Sequence, residues 1–364
     1  MRLILSFLLV YVASVSLLRA DSIPLIFNGF QLHYGFVIPH SSKIRDVAFT
    51  NPAGVEFSHG KLHTSFSDWQ VFNNFWVSGF KGRYFNFRYP EVLGSVFDVT
   101  AFAGPLVSHG RKHQLTISGG AGISYHTAIY DQVKNPLNQF FSTRISFPLY
   151  VEAKFKYRLN DRSFITLSGC YNHISNGGIK QPNYGMNFPT ASIGFEHFNT
   201  RIPDLENNFR FNAPSRSGNV SFLLQALSSY KVMDATPDFP EKGFVVYGFH
   251  VRASKPLGSI YSLNAGGEFI IDGYIKESVK REGNNTDNKR FAFTLGQDFT
   301  FGRILFSQYV GIYTYAPYKA RNMVYQKYEL AYKTQRGIMY GVFLKSHLYI
   351  AELIGLTMGY QLIR

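Results

Sequence analysis

The sequence predicts an all-β fold, a transmembrane antiparallel β-barrel of the outer membrane with about 14–16 strands. Three observations predict it. The chain opens with a secretory leader. Its composition is aromatic and glycine-rich, with 35 Phe, 24 Tyr and 32 Gly, while only 16% of residues are charged. Segments of roughly ten alternating residues then recur between turn residues. No later stretch is long and apolar enough for a transmembrane helix. The mean hydropathy of −0.08 fits a wall whose residues alternate between lipid and lumen.

The leader spans residues 1–20. Arg2 supplies the positive start, Leu3 to Leu18 is mostly apolar, and Ala20 precedes Asp21 as a small-residue cleavage point. Residues 21–364 then form a single barrel domain. Cys170 is the only cysteine, so no intramolecular disulfide framework is available. It lies within a strand and lacks metal-ligand spacing around it, so neither a metal nor another cofactor is expected. The formal net charge is +14. Basic surfaces suit phosphates. On an exported barrel these are the phosphates of lipopolysaccharide, not of nucleic acid. Many of the charges are solvated loop residues. Nothing in the sequence points to a particular oligomeric state.

Taken in order, the strands start near Gly29, Gly54, Phe75, Gly94, His113, Arg144, Arg162, Asn187, Val220, Phe244, Ser259, Asn288, Arg303, Asn322, Gly337 and Ile350. The second is the weakest, and leaving out a pair gives fourteen. Connections of alternating length support the order. Asn160-Asp161, Pro256-Leu257-Gly258, Phe301-Gly302 and Gln335-Arg336 read as tight turns. Residues 39–53, 126–143, 174–186, 229–243 and 273–287 read as long outer loops. Short turns face the periplasm and long loops the exterior, so odd strands run outward. Two long connections, 60–74 and 199–219, break the rule. They read as periplasmic plugs, as short helices, or as a miscounted pair.

Side chains of a strand alternate between faces. Ile165, Leu167, Gly169 and Tyr171 therefore share the lipid face, and Thr166, Ser168, Cys170 and Asn172 the lumen. In the next strand Ala191, Ile193 and Phe195 face lipid, with Ser192, Gly194 and Glu196 inside.

The connection between these two strands, His173 to Asn187, is polar and rich in Gly and Asn. His173 and Ser175 continue the outer row of one strand, and Asn187 that of the other. The hairpin brings the three together on the wall near the extracellular rim. Serine is a weak nucleophile until a base takes its proton, and His is the usual base. A third group fixes the imidazole tautomer. The Gly177-Gly178 loop and the amides of Asn176 and Asn183 are suitable donors to an oxyanion. From the residues alone two readings stand open: an acyl-transfer site, or ordinary polar groups at headgroup level.

The run HISNGGIKQPNYGMNFPTASIGF resembles the central motif of the lipid A 3-O-deacylase family of outer-membrane barrels. The pattern is His-x-Ser-Asn, then Pro-Asn-x-Gly, then the third catalytic position. The segments GVEFSHG, YFNFRYPEVLGSVFDV and LKSHLYIAELIGLTMGY resemble those of longer members with extra C-terminal strands. The resemblance implies an outer-membrane esterase that removes an ester-linked acyl chain from lipid A. It makes Ser175 the nucleophile, His173 the general base, Asn187 the third member, and Asn176 and Asn183 the oxyanion hole. The smaller enzymes carry Glu at the third position, and this chain carries Asn187. Asn can orient His but cannot stabilise the imidazolium by charge. Lys180 is expected to hold a substrate phosphate as a point charge. The alternative is a non-catalytic outer-membrane barrel, a pore or structural protein with a degenerate site. Lys345 and His347, with Glu352 nearby, form a second polar group, read as a lumen salt-bridge cluster or as a second site.

Overall fold

The computed structural model describes residues 24–65, 68–69, 74–203, 205, 218–258, 260–318, 322–348 and 350–363. The expected leader lies outside them. Among the described residues there are sixteen strands, in order β1 (Leu25–Gly35), β2 (Ala53–His63), β3 (Trp76–Asn86), β4 (Ser95–His109), β5 (His113–His126), β6 (Ile145–Arg158), β7 (Ser163–Ser175), β8 (Met186–Phe198), β9 (Ser221–Met233), β10 (Lys242–Pro256), β11 (Tyr261–Asp272), β12 (Lys289–Phe301), β13 (Ile304–Tyr315), β14 (Val324–Lys333), β15 (Ile338–His347) and β16 (Ile350–Ile363). The weak second strand is real and pairs along its whole length with β1, from Leu25↔Leu62 to Tyr34↔Ala53.

The strands do not close into the single barrel expected for residues 21–364. They close into two, β1–β8 and β9–β16. The reason is the free edge of β8. It pairs back onto β1, from Phe27↔Phe198 to Gly35↔Thr190, and leaves β9 no edge to join. β9 instead pairs with β16, with Leu224 opposite Tyr360. The long connection at 199–220, an exception to the turn rule in one barrel, is the link between two.

Both barrels are apolar outside and polar inside, the reverse of a water-soluble core. Phe30, Leu32, Tyr34, Phe57 and Phe97 are exposed on the first wall, and Leu224, Phe249, Val251, Leu295 and Leu356 on the second. Eight strands enclose a lumen just wide enough for side chains to fill. In the first, Lys81 lies 2.9 Å from Glu56 and 2.7 Å from Glu152, and Arg83 bonds Asp98 at 2.8 Å. In the second, Glu268 accepts from both Lys327 and Lys345. Arg290 bonds Glu352 at 2.7 Å, and His347 meets the same carboxylate at 2.9 Å. The Lys345–His347–Glu352 group is therefore part of a paired ion network inside the lumen. Such pairing is what makes buried charge tolerable. The parity of β7 and β8 is as read: Ile165, Leu167, Tyr171, Ile193 and Phe195 are exposed, while Thr166, Ser168, Cys170, Asn172 and Glu196 are buried.

Short connections at 110–112, 159–162, 257–260, 302–303 and 334–337 gather at one end of the barrels. The long ones, including 36–52, 127–144 and 273–288, gather at the other. The two barrels thus share one orientation. They touch at the long-loop end, where the Val232 N–H donates to Ile179 O at 2.7 Å.

Candidate active site

The β7–β8 hairpin sets the site. Its register puts His173 directly opposite Asn187. At that pair His173 Nδ1 lies 2.7 Å from Asn187 Oδ1. Ser175, two residues on and on the same face, is 8% exposed. Gly185 packs beneath both. A Cβ there would lie 3.0 Å from His173 Cε1 and 3.1 Å from Ser175 Cβ, and its φ of +67° already favours glycine. The imidazole edge and the Ser175 Cβ thus both border Gly185, whose missing side chain leaves that space open.

A residue that sequence reasoning missed completes the polar chain. His40, from the 36–52 loop, lies 2.9 Å through Nε2 from Tyr184 O. Its other ring nitrogen, Nδ1, lies 3.3 Å from Ile38 O, so each imidazole nitrogen of His40 faces a backbone carbonyl. That Nδ1 lies 3.4 Å from Asn187 Nδ2. The Asn187 amide has its NH2 on the His40 side and its oxygen on the His173 side. His173 donates from Nδ1, which leaves the Nε2 lone pair for a proton. His40 had no motif to mark it, because only the loop's path brings it to Asn187.

The loop after Ser175 is tightly braced. Gly177 N–H donates to Ser175 Oγ at 3.0 Å. Asn176 is fully buried, its Oδ1 accepting from Gly178 N–H and its Nδ2 donating to Ser142 Oγ and Lys180 O. Its backbone N–H donates to Asn183 Oδ1 at 3.0 Å. The side-chain and backbone amides of Asn176 brace the loop. Asn183 keeps its NH2 group on the far side of that anchor. Ser142 is a second residue missed in the sequence, since it belongs to the distant 127–144 loop.

Lys180 reaches across to the second barrel. Its Nζ lies 2.6 Å from Glu241 Oε2 and 3.6 Å from Asp234 Oδ1, both on the loop between β9 and β10. Partial burial works against its charge, but the bond to Glu241 and the charges of Glu241 and Asp234 outweigh it and hold the ammonium above the ordinary lysine value. It is a clamp between the two barrels. The glycines of the loop press on the second barrel too. A Cβ on Gly177 would lie 2.5 Å from Ile354 Cβ, and one on Gly178 would lie 2.7 Å from Glu352 O.

Comparison with known families assigns the two barrels separately. The model described as lipid A 3-O-deacylase (PagL) matches residues 53–196, from β2 to the end of β8. The model described as acyloxyacyl hydrolase, C-terminal domain, matches residues 219–364, the whole second barrel. The chain belongs to the lipid A 3-O-deacylase family. As a β-barrel of this family it is an outer-membrane protein, and lipid A is the substrate class its family acts on. The two matches part at the 199–220 link. Among curated proteins none matches the chain. Solved structures that resemble it include a variant of the Rh. blastica porin, at 8% identity over 93% of this chain and 100% of that one, with a TM-score of 0.19. A KdgM porin has 9% identity over 73% of this chain and 91% of that one, also at 0.19. The siderophore receptor PirA from Acinetobacter baumannii has 8% identity over 90% of this chain and 53% of that one, at 0.27.

Proposed function

We propose that this lipid A 3-O-deacylase family member hydrolyses the 3-O-linked acyl ester of lipid A, using Ser175, His173 and Asn187 on the lipid-facing wall of the first barrel. The observation that carries the reading is the 2.7 Å contact from His173 Nδ1 to Asn187 Oδ1, with the imidazole edge and Ser175 both bordering Gly185. Ser175 Oγ attacks the ester carbonyl and His173 Nε2 takes its proton. The imidazolium returns that proton to the sugar alkoxide as it leaves. Water then releases the fatty acid from Ser175 by the same base, and Ser175 recovers its proton. The amide of Asn183 supplies a donor to the oxyanion, and the Gly177 N–H, bonded to Ser175 Oγ, positions the nucleophile. Asn187 acts by holding the tautomer, with no negative charge of its own.

Placement supports the substrate. The site lies at the long-loop end, which in such barrels faces the exterior. Lipid A occupies that leaflet, so an ester at the boundary of chains and headgroups reaches the wall without leaving the membrane. Two lumens packed with ion pairs weigh against a pore. Export through a cleaved leader at residues 1–20 is part of the same proposal. The test is mass spectrometry of lipid A from cells with and without the protein. Loss of one 3-O-linked chain supports the reading, and identical lipid A in producing and non-producing cells overturns it.

A further inference from the structure

The opposite end of the first barrel carries a second arrangement of serine, histidine and acid. His63 ends β2 and is paired in register with Trp76 at the start of β3. The two rings stack at 3.7 Å with 3° between their planes, which fixes the imidazole. His63 Nε2 lies 2.9 Å from Ser78 Oγ, and His63 Nδ1 lies 3.2 Å from Asp68 Oδ1. The other Asp68 oxygen accepts from Ser65 Oγ at 2.7 Å, and its backbone carbonyl accepts from Trp76 Nε1 at 2.9 Å. Both carboxylate oxygens are thus held, and the residue is anchored from the strand it serves.

Chemistry settles the proton positions. Burial alone raises the Asp68 carboxyl, but its bonds from His63 and Ser65 outweigh that and lower it to about 2. It is therefore ionised at neutral pH and acts only as an acceptor. His63 donates from Nδ1 and turns its Nε2 lone pair to the Ser78 hydroxyl. This is the division of labour of a nucleophile, its base and an acid orienter. Unlike Asn187, Asp68 can stabilise the imidazolium by charge.

We propose that Ser78, His63 and Asp68 form a second acyl-transfer site, acting on the acyl esters of glycerophospholipids at the periplasmic rim. Strand parity supplies the placement. Ser78 alternates with buried Val77 and shares its face with exposed Phe80, so it lies on the outer wall. The side chains of His63 and Asp68 are 12% and 22% exposed, so a substrate can reach them. The short-turn end faces the periplasm, where the leaflet is phospholipid. Trp76 marks the headgroup depth at which tryptophan is enriched, and glycerol esters lie at that depth. Ser78 Oγ attacks the ester carbonyl and its proton passes to His63 Nε2. The imidazolium then protonates the departing glycerol oxygen. Water, deprotonated by His63, cleaves the acyl-serine to a fatty acid, and Ser78 regains its proton.

The test uses the full chain with Ser175→Ala, which silences the first site, reconstituted in phosphatidylethanolamine–phosphatidylglycerol vesicles. Folding is checked by heat-modifiable gel mobility. A fluorophosphonate probe is expected to label the peptide containing Ser78, and the vesicles to release fatty acid. Adding Ser78→Ala should abolish both. Asp68→Asn, which disturbs the wall less, should lower release by about four orders of magnitude through the wrong tautomer. Absence of label on Ser78 in the folded protein overturns the proposal, as does label without release, or release that survives Ser78→Ala.

Discussion

Asn187 is the residue at which this chain differs from the smaller enzymes it resembles, so its substitution tests the mechanism most sharply. In Asn187→Ala the acceptor 2.7 Å from His173 Nδ1 is lost. The ring nitrogen then carries an N–H without a partner in a half-buried hairpin. Leaving such a donor unpaired costs about 1–3 kcal/mol. If that cost falls on the reactive orientation, kcat/KM falls by about 5- to 150-fold at 1.4 kcal/mol per factor of ten. Asn187→Asp keeps the oxygen in place, adds a charge that favours the imidazolium, and is expected to match or exceed the native rate. The desolvation of that carboxylate is limited at the rim, where charge penalties fall to about 0–1 kcal/mol. The assay is release of fatty acid from purified lipid A in one detergent, with the three proteins at equal folded concentration. Equal rates for Asn, Ala and Asp would refute the reasoning, because position 187 would then neither orient nor stabilise His173.

Other outcomes follow from the same geometry. Gly178→Ala should leave the barrels folded but reduce turnover about tenfold, since φ of +86° and the Glu352 carbonyl both oppose a Cβ and strain of about 1–3 kcal/mol is expected; unchanged turnover would show that the loop does not need its seat on the second barrel. Cys170 faces the lumen and is 5% exposed, so a bilayer-confined maleimide should not label it; ready labelling would mean a one-residue slip of β7, which flips every side chain. Glu268→Gln leaves Lys327 and Lys345 without their shared carboxylate and should cost about 3–5 kcal/mol, read as a lower urea midpoint for unfolding from vesicles.

The walls were legible because period-two alternation is written directly in the residues. The strand starts read from it fall within four residues of those observed, and His113 and Ile350 coincide. Closure was not legible. Whether β8 returns to β1 or continues to β9 depends on pairing between segments more than 150 residues apart, and the two outcomes share one alternation pattern. The anomalous length of 199–219 was the trace that closure left. The His173–Ser175–Asn187 grouping was readable because one hairpin carries all three. His40 and Ser142 were not, since each comes from another loop whose path no local pattern encodes. The ion pairs of Lys180 were hidden for a related reason: a lone basic residue in a loop gives no sign of the acids that a second barrel brings to it. His63 and Asp68 sat in the other connection that broke the length rule, and were passed over there as part of a plug or helix.

The central claim is that Ser175 is the nucleophile for the acyl ester of lipid A. The most direct measurement is mass spectrometry of purified lipid A after incubation with the native protein and with Ser175→Ala, both confirmed folded by heat-modifiable mobility. The account predicts loss of the 3-O-linked chain with the native protein and intact lipid A with the variant. Release of that chain by folded Ser175→Ala at the native rate would contradict it.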